Sequence, residues 1–233
     1  MIAIIGAMEE ELQPLYQQLQ KQGVSRVGPA TFSEGGYKGN PILVVQTGIG
    51  KANAAASTAI LMEKYKPEAI FNIGTAGGLS QQLQVGDIVL ASQTVYGDVD
   101  ATGFGYHPGQ VPRMPPCYDA GTSLLEAASE AAKGWADRVH VGLTMTTDSF
   151  MSDVEYVRFL QRKFPSALAT DMEATANAQI AFWYGIPFLN IRIISDLAGQ
   201  NASESFDENI QLVPNKAIRF LEAVLEIFWR PKA

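Results

Sequence analysis

The sequence predicts one three-layer α/β domain, and three observations carry that expectation. A continuous apolar run at residues 2–5 and mostly apolar runs at 69–73 and 188–194 have the pattern of strands buried on both faces, the habit of sheets covered by helices. Segments with helical spacing lie between such runs, so strands and helices alternate along the chain. No linker, internal repeat or low-complexity tract divides the 233 residues, a length that fits one domain over 1–233.

The elements follow in order. The first run, Ile2-Ala3-Ile4-Ile5, ends at Gly6. Residues 9–20 read as a helix with Leu12, Leu15, Tyr16 and Leu19 on one face. Residues 31–37 and 42–46 flank Gly39-Asn40-Pro41 and read as a hairpin. Residues 51–65 form an Ala-rich helix suited to close packing on the sheet. The strand at 69–73 is closed by the Gly-rich segment 74–78, and 87–91 is a further strand. Residues 101–117 hold three Gly and four Pro, so they form a long loop, a class that is usually functional or disordered. Helices at 123–133 and 154–164 bracket a strand at 139–145. A helix at 171–184 precedes the strand at 188–194, and Ile218, Leu221, Leu225 and Phe228 mark a C-terminal helix.

Composition excludes several classes. Seventeen Lys and Arg against 24 Asp and Glu leave a net charge of −7, which disfavours nucleic-acid binding. No apolar run approaches the roughly 18 residues of a membrane span. Three acids follow the apolar start at once, unlike a signal peptide. Cys117 is the single cysteine and His107 and His140 the only histidines, so neither an intrachain disulfide nor a zinc site is expected. The expected setting is the cytoplasm.

Four segments could carry chemistry. Glu9, Glu10 and Glu11 follow a buried strand. They either favour the helix dipole or place one acid in the crevice where α/β sheets bind ligands. The segment Gly74-Thr75-Ala76-Gly77-Gly78 permits close backbone approach but matches neither a dinucleotide fingerprint nor a Walker loop. Gly48-Ile49-Gly50-Lys51 reads as a turn before a helix. Asp171-Met172-Glu173 stands before small residues, so its acids lie near the core and need a task or a partner. Arg192 lies inside an apolar strand and Asp196 just past its end, which points to mutual pairing of the buried Arg with nearby acids.

Taken in order, Met8-Glu9-Glu10-Glu11, the segment 74–78, Asp148-Ser149-Phe150-Met151, Met172-Glu173-Ala174-Thr175 and Ser195-Asp196 resemble the 5′-methylthioadenosine/S-adenosylhomocysteine nucleosidases of the wider purine nucleoside phosphorylase and hydrolase family. The resemblance covers effectively the whole chain. It implies a three-layer α/β/α sandwich with a mixed central sheet and an enzyme that hydrolyses N-glycosidic bonds without cofactor or metal. By the same resemblance Glu11 would activate water and Asp196 would protonate adenine N7. Glu173 would bind the ribose hydroxyls with the Met172 backbone and Arg192. Phe150 would stack on adenine, the Met151 backbone would read its edge, and Ser195 would belong to the substrate site. Thr75 and Gly77 would line the sugar and base region, and Met8, Ile49 and Phe206 the pocket for the 5′-thioether. The family forms homodimers, which would bring Phe104 and Pro112 over the partner's site. Many relatives carry Glu-Met-Glu where this chain has Asp171-Met172-Glu173, which lessens the weight on Asp171 as a direct sugar contact. Thr75 replaces a frequent Ser or Val.

The residue types fit such chemistry independently. Cleaving an N-glycosidic bond calls for one carboxyl held protonated by its surroundings and one ionised carboxylate beside the water. Rival readings are a hydrolase for a related 6-amino nucleoside (aminodeoxyfutalosine or 5′-deoxyadenosine), a purine nucleoside phosphorylase, and a non-catalytic nucleoside-binding protein. A phosphorylase needs basic groups for phosphate, for which Arg26 and Lys51 are the candidates.

Overall fold

The apolar runs become inner strands of one mixed sheet. The computed structural model describes residues 1–136, 138–199, 202–209 and 213–230. Its elements are β1 (Ile2–Gly6), α1 (Glu9–Tyr16), β2 (Gln20–Val27), β3 (Ala30–Tyr37), β4 (Asn40–Gln46), α2 (Lys51–Tyr65), β5 (Ile70–Gly78), β6 (Ile88–Tyr96), a 3-10 turn at Thr102–Phe104, β7 (Tyr118–Asp119), α3 (Thr122–Lys133), β8 (Val139–Thr146), α4 (Val154–Lys163), β9 (Ala167–Asp171), α5 (Ala174–Tyr184), β10 (Phe188–Leu197), α6 (Ala202–Asn209) and α7 (Val213–Phe228).

The sheet order is β10-β6-β8-β9-β5-β1-β4-β3-β2, with β7 on β6 and a further pairing of β10 with β5. That pairing closes β5, β10, β6, β8 and β9 into a ring, from which β1, β4, β3 and β2 extend. β5 is the hinge of this layout. Its first half, through Asn72, pairs with β1, whereas Gly77 and Gly78 pair with β9. Along its whole length β5 also runs parallel to β10. The stretch from Gly74 to Ala76 therefore lies where β5 has parted from β1 and not yet met β9, and a crevice opens there.

Helices cover both faces. One apolar cluster joins the sheet to Leu12 and Leu15 of α1, Leu124 and Ala128 of α3, and Phe220, Leu221 and Leu225 of α7. A second joins it to Ala54, Leu61 and Met62 of α2 and to Ala176, Ala178 and Ala181 of α5. A third packs Val157 and Leu160 of α4 against Val95 and Met145. The α7 stripe follows the predicted spacing, and each such Leu or Ile contributes about 1.5–3 kcal/mol on burial.

Several boundaries differ from the expectation. The first helix stops at Tyr16 and the chain turns into β2, whose exposed polar residues gave no strand signal. Segment 74–78 is not a closing loop but the end of β5, because β10 supplies its backbone partners. The fifth helix begins at Ala174, and Asp171 instead ends β9. Asp196 is not past the end of its strand: β10 runs to Leu197, with a bulge between Ile194 and Asp196. An extra residue in a strand re-aims the side chains that follow it. Residues 101–117 lack regular structure apart from the 3-10 turn, as expected.

Candidate active site

A cavity of about 340 Å³ opens at the crevice beside β5, large enough for a small ligand. Met8, Glu11, Ile49, Thr75, Gly77, Phe150, Met151, Met172, Glu173, Ser195, Asp196 and Phe206 all line it. Arg192 lies behind the lining at 1% exposure. Phe104 and Pro112 do not line it, and Phe104 is 88% exposed.

Glu11 sits in the first turn of α1, and its side chain turns back to the strand end. One oxygen accepts from the backbone N–H groups of Ala7 and Met8 at 3.0 and 3.1 Å. The other accepts from Thr75 N at 2.9 Å and Thr75 Oγ1 at 3.2 Å. Three backbone N–H groups and one hydroxyl thus meet this carboxylate, and the Thr75 hydroxyl, at the longest of the four contacts, can rotate away and leave a place for another donor. The helix-terminus reading and the crevice reading of the three acids are thus both true of Glu11. Glu9 and Glu10 stay at the surface.

Glu173 reaches the cavity from just before α5. Its Oε1 accepts from Gly50 N at 3.0 Å. Gly50 has φ +93°, a left-handed conformation open to glycine, and it aims that N–H across the cavity. Burial pushes the Glu173 carboxyl up to about 7. The Arg192 guanidinium opposes the rise, Asp171 and Glu11 add to it, and the Gly50 N–H opposes it. Arg192 projects from β10 with Nη2 3.7 Å from Glu173 Oε2 and Nε 3.2 Å from Asp171 Oδ2. Its Nη1 donates to Thr75 O at 3.3 Å. The pairing of a buried Arg with nearby acids is as expected, with Asp171 the closer partner.

Asp196 has a different setting. It is 3% exposed, and Ser195 Oγ donates to its Oδ2 at 2.9 Å. Burial raises its pKa above the usual carboxylate value, and the Ser195 hydroxyl opposes the rise only partly. Ser195 Oγ is also 3.3 Å from Ala76 O. That hydroxyl can donate to the carbonyl while Asp196 is protonated and to the carboxylate once it is not.

The apolar side of the cavity is built by Met8, Ile49, Phe150, Met151 and Phe206, with Phe150 and Phe206 edge to face at 5.8 Å. Met151 O accepts from Gly199 N at 2.7 Å, which ties this loop to the end of β10. The lining contains no Lys, Arg or His among the described residues. Arg26 is exposed on β2. Lys51 Nζ is held by Asp98 at 2.7 Å and Asp148 at 3.7 Å. Among the described residues no cluster of His, Cys, Asp and Glu could hold a metal, and no helix is long and apolar enough to cross a membrane.

Sequence reasoning missed three features. Ser203 and Asp207 of α6 line the cavity, and nothing in their polar surroundings signals it. Asn190, a buried amide in an apolar strand, did carry a signal. Gly74 gives room to side chains rather than to a ligand. A Cβ there would stand 2.5 Å from Glu11 Oε1 and closer still to Arg192 Nη1.

Two outcomes follow. Gly74→Ala must displace Glu11 or Arg192, so it lowers both the melting temperature and activity; wild-type values for both contradict this packing. The second concerns Glu173, which keeps its proton to a higher pH folded than unfolded. Its stabilising contribution is present below the unfolded value of 4.5 and is lost as pH rises through about 7. The loss is at most roughly 3 kcal/mol. The melting temperature of wild type therefore falls more steeply from pH 5 to 8 than that of Glu173→Gln; parallel curves would count against it.

Comparison with known proteins places this geometry. The model of the phosphorylase superfamily matches residues 1–226. A 5′-methylthioadenosine/S-adenosylhomocysteine nucleosidase of Geobacillus sp. (strain WCH70) is 44% identical over 89% of this chain and 90% of its own. The crystal structure of the nucleosidase of that name from Neisseria meningitidis, in complex with methylthio-immucillin-A, superposes with a TM-score of 0.93 at 35% identity, covering 97% of this chain and 98% of the other. A futalosine hydrolase structure from Helicobacter pylori has a TM-score of 0.91 at 27% identity, covering 97% of each chain. With this family match along nearly its whole length, the chain belongs to the phosphorylase superfamily and, within it, to the 5′-methylthioadenosine/S-adenosylhomocysteine nucleosidases.

Proposed function

We propose that the protein hydrolyses the N-glycosidic bond of 5′-methylthioadenosine and S-adenosylhomocysteine, releasing adenine and the corresponding thioribose. The observation that carries this reading is the pair of unlike carboxyls on one cavity. Glu11 is surrounded by four donors, whereas Asp196 is buried with a raised pKa. Relatives of the family are named nucleosidases of these same two nucleosides.

Water attacks the anomeric carbon and gives a proton to Glu11. The bond to purine N9 breaks, and its electron pair enters the ring. Asp196 delivers its proton to N7, so the base leaves neutral. Ser195 then turns its hydroxyl to the new Asp196 carboxylate. Glu173 and the Met172 backbone hold the ribose hydroxyls, with Arg192 supporting Glu173 from behind the lining. Phe150 stacks on the base, the Met151 backbone reads its edge, and Thr75 and Gly77 flank sugar and base. Met8, Ile49 and Phe206 enclose the 5′-thioether. No cofactor or metal has a step to perform.

The nucleophile is water because, among the described residues, the lining has no Lys, Arg or His to hold phosphate. A carboxylate 4 Å away disfavours each phosphate charge by about 4 kcal/mol at an effective dielectric of 20. The protein acts as a single domain in the cytoplasm, in methionine salvage. It works as a homodimer in which Phe104 and Pro112 reach the partner's site. Their loop supports this, because Phe104 is almost fully exposed and does not line the cavity described above. A fully active monomer at micromolar concentration would exclude the shared site. The likeness to a futalosine hydrolase supports a second reading, a hydrolase for a related 6-amino nucleoside such as aminodeoxyfutalosine.

Adenine release across a panel of 5′-substituted adenosines separates these readings; release from none of them would leave only a binding protein. Asp196→Asn keeps the shape and loses roughly 10²–10⁴-fold in turnover, the weight of general acid catalysis. Glu11→Gln is similarly impaired, while Glu10→Gln retains activity. Turnover of Asp196→Asn near that of wild type removes Asp196 from the mechanism.

A further inference from the structure

Asp171 is the most heavily bonded side chain beside the cavity, and the mechanism above gives it no step. Its side chain is 1% exposed. Oδ1 accepts from Thr146 Oγ1 at 2.6 Å, Glu173 N at 3.1 Å and Ala174 N at 3.0 Å. Oδ2 accepts from Asn190 Nδ2 at 3.1 Å and Arg192 Nε at 3.2 Å. Five donors from β8, β10 and the start of α5 converge on one carboxylate.

Two of those donors govern Glu173. One is the backbone N–H of Glu173 itself, which fixes where its side chain starts. The other belongs to Arg192, the only cation paired with Glu173 among the described residues. Arg192 lies nearer to Asp171 than to Glu173, whose Oε2 at 3.7 Å is beyond hydrogen-bond reach. The Glu173 carboxylate therefore keeps one oxygen on Gly50 and one without a short bond to the guanidinium.

We propose that Asp171 is a positioning residue: by holding Arg192 and the Glu173 backbone together, it keeps one Glu173 oxygen open for the sugar hydroxyls. This rests on the nucleosidase reading. Without the Asp171 charge, the buried guanidinium turns to its remaining carboxylate, and Glu173 is drawn out of register with the sugar. Asp171 does not itself touch the sugar, since its oxygens are already filled.

The test measures kcat and KM for wild type, Asp171→Asn, Asp171→Glu and Thr146→Val on 5′-methylthioadenosine and on its 2′,3′-dideoxy analogue, with melting curves alongside. A misplaced binding group costs roughly 10²-fold. Asp171→Asn is expected to lose that much kcat/KM on the natural sugar, mostly through KM, and far less on the dideoxy sugar. Asp171→Glu recovers most of the loss. If Asp171→Asn fails to fold, Thr146→Val decides; it removes the shortest bond to Asp171, keeps the charge, and shows the same sugar-dependent loss on a smaller scale. Equal losses on both sugars, or none on either, overturn the proposal. A wild-type enzyme that releases no adenine from 5′-methylthioadenosine sinks the nucleosidase reading and this proposal with it.

Discussion

The acidic side of the cavity depends on one buried cation. Arg192 stands in the middle of β10 at 1% exposure, where an unpaired charge would cost several kcal/mol. It is tolerated because Asp171, Glu173 and the Thr75 carbonyl surround it. Gly74 clears the space that it shares with Glu11. The guanidinium in turn lets acidic groups gather in a small volume: Glu11, Asp171, Glu173 and Asp196 all line one cavity. For Glu173 it opposes the upward shift that burial and the neighbouring acids impose.

The backbone supplies the rest of the arrangement. β5 leaves β1 and later joins β9, so residues from β5, β10 and the helix starts after β1 and β9 reach one crevice. The two carboxyls of the proposed chemistry differ because their surroundings differ. Glu11 is met by backbone and side-chain donors at a helix start, whereas Asp196 follows a strand bulge and has one hydroxyl for company. Such separation of environments lets two carboxyls take opposite roles at one pH.

Much of the fold was legible because inner strands announce themselves by apolar runs, unbroken in Ile2–Gly6 and interrupted by only a few polar residues in Phe188–Leu197. β2 was not, since its residues are exposed and polar, and β9 was not, since Ala-Leu-Ala-Thr-Asp is short and mild in character. The glycines of β5 read as a loop because their strand partners are distant in sequence. Candidate acids could be listed from the residues, but their separate roles came from a family resemblance. The surroundings of Asp171 were hidden because its five donors come from three segments, and no spacing in the chain encodes that convergence.

The central claim is that a carboxylate-lined cavity, with no Lys, Arg or His in its lining among the described residues, delivers water to the anomeric carbon. The reaction in ¹⁸O-labelled water with abundant inorganic phosphate tests it most directly, with the sugar product identified by mass spectrometry. The account predicts free thioribose with one ¹⁸O on its anomeric carbon and no phosphate requirement. Unlabelled thioribose 1-phosphate as the product would contradict it.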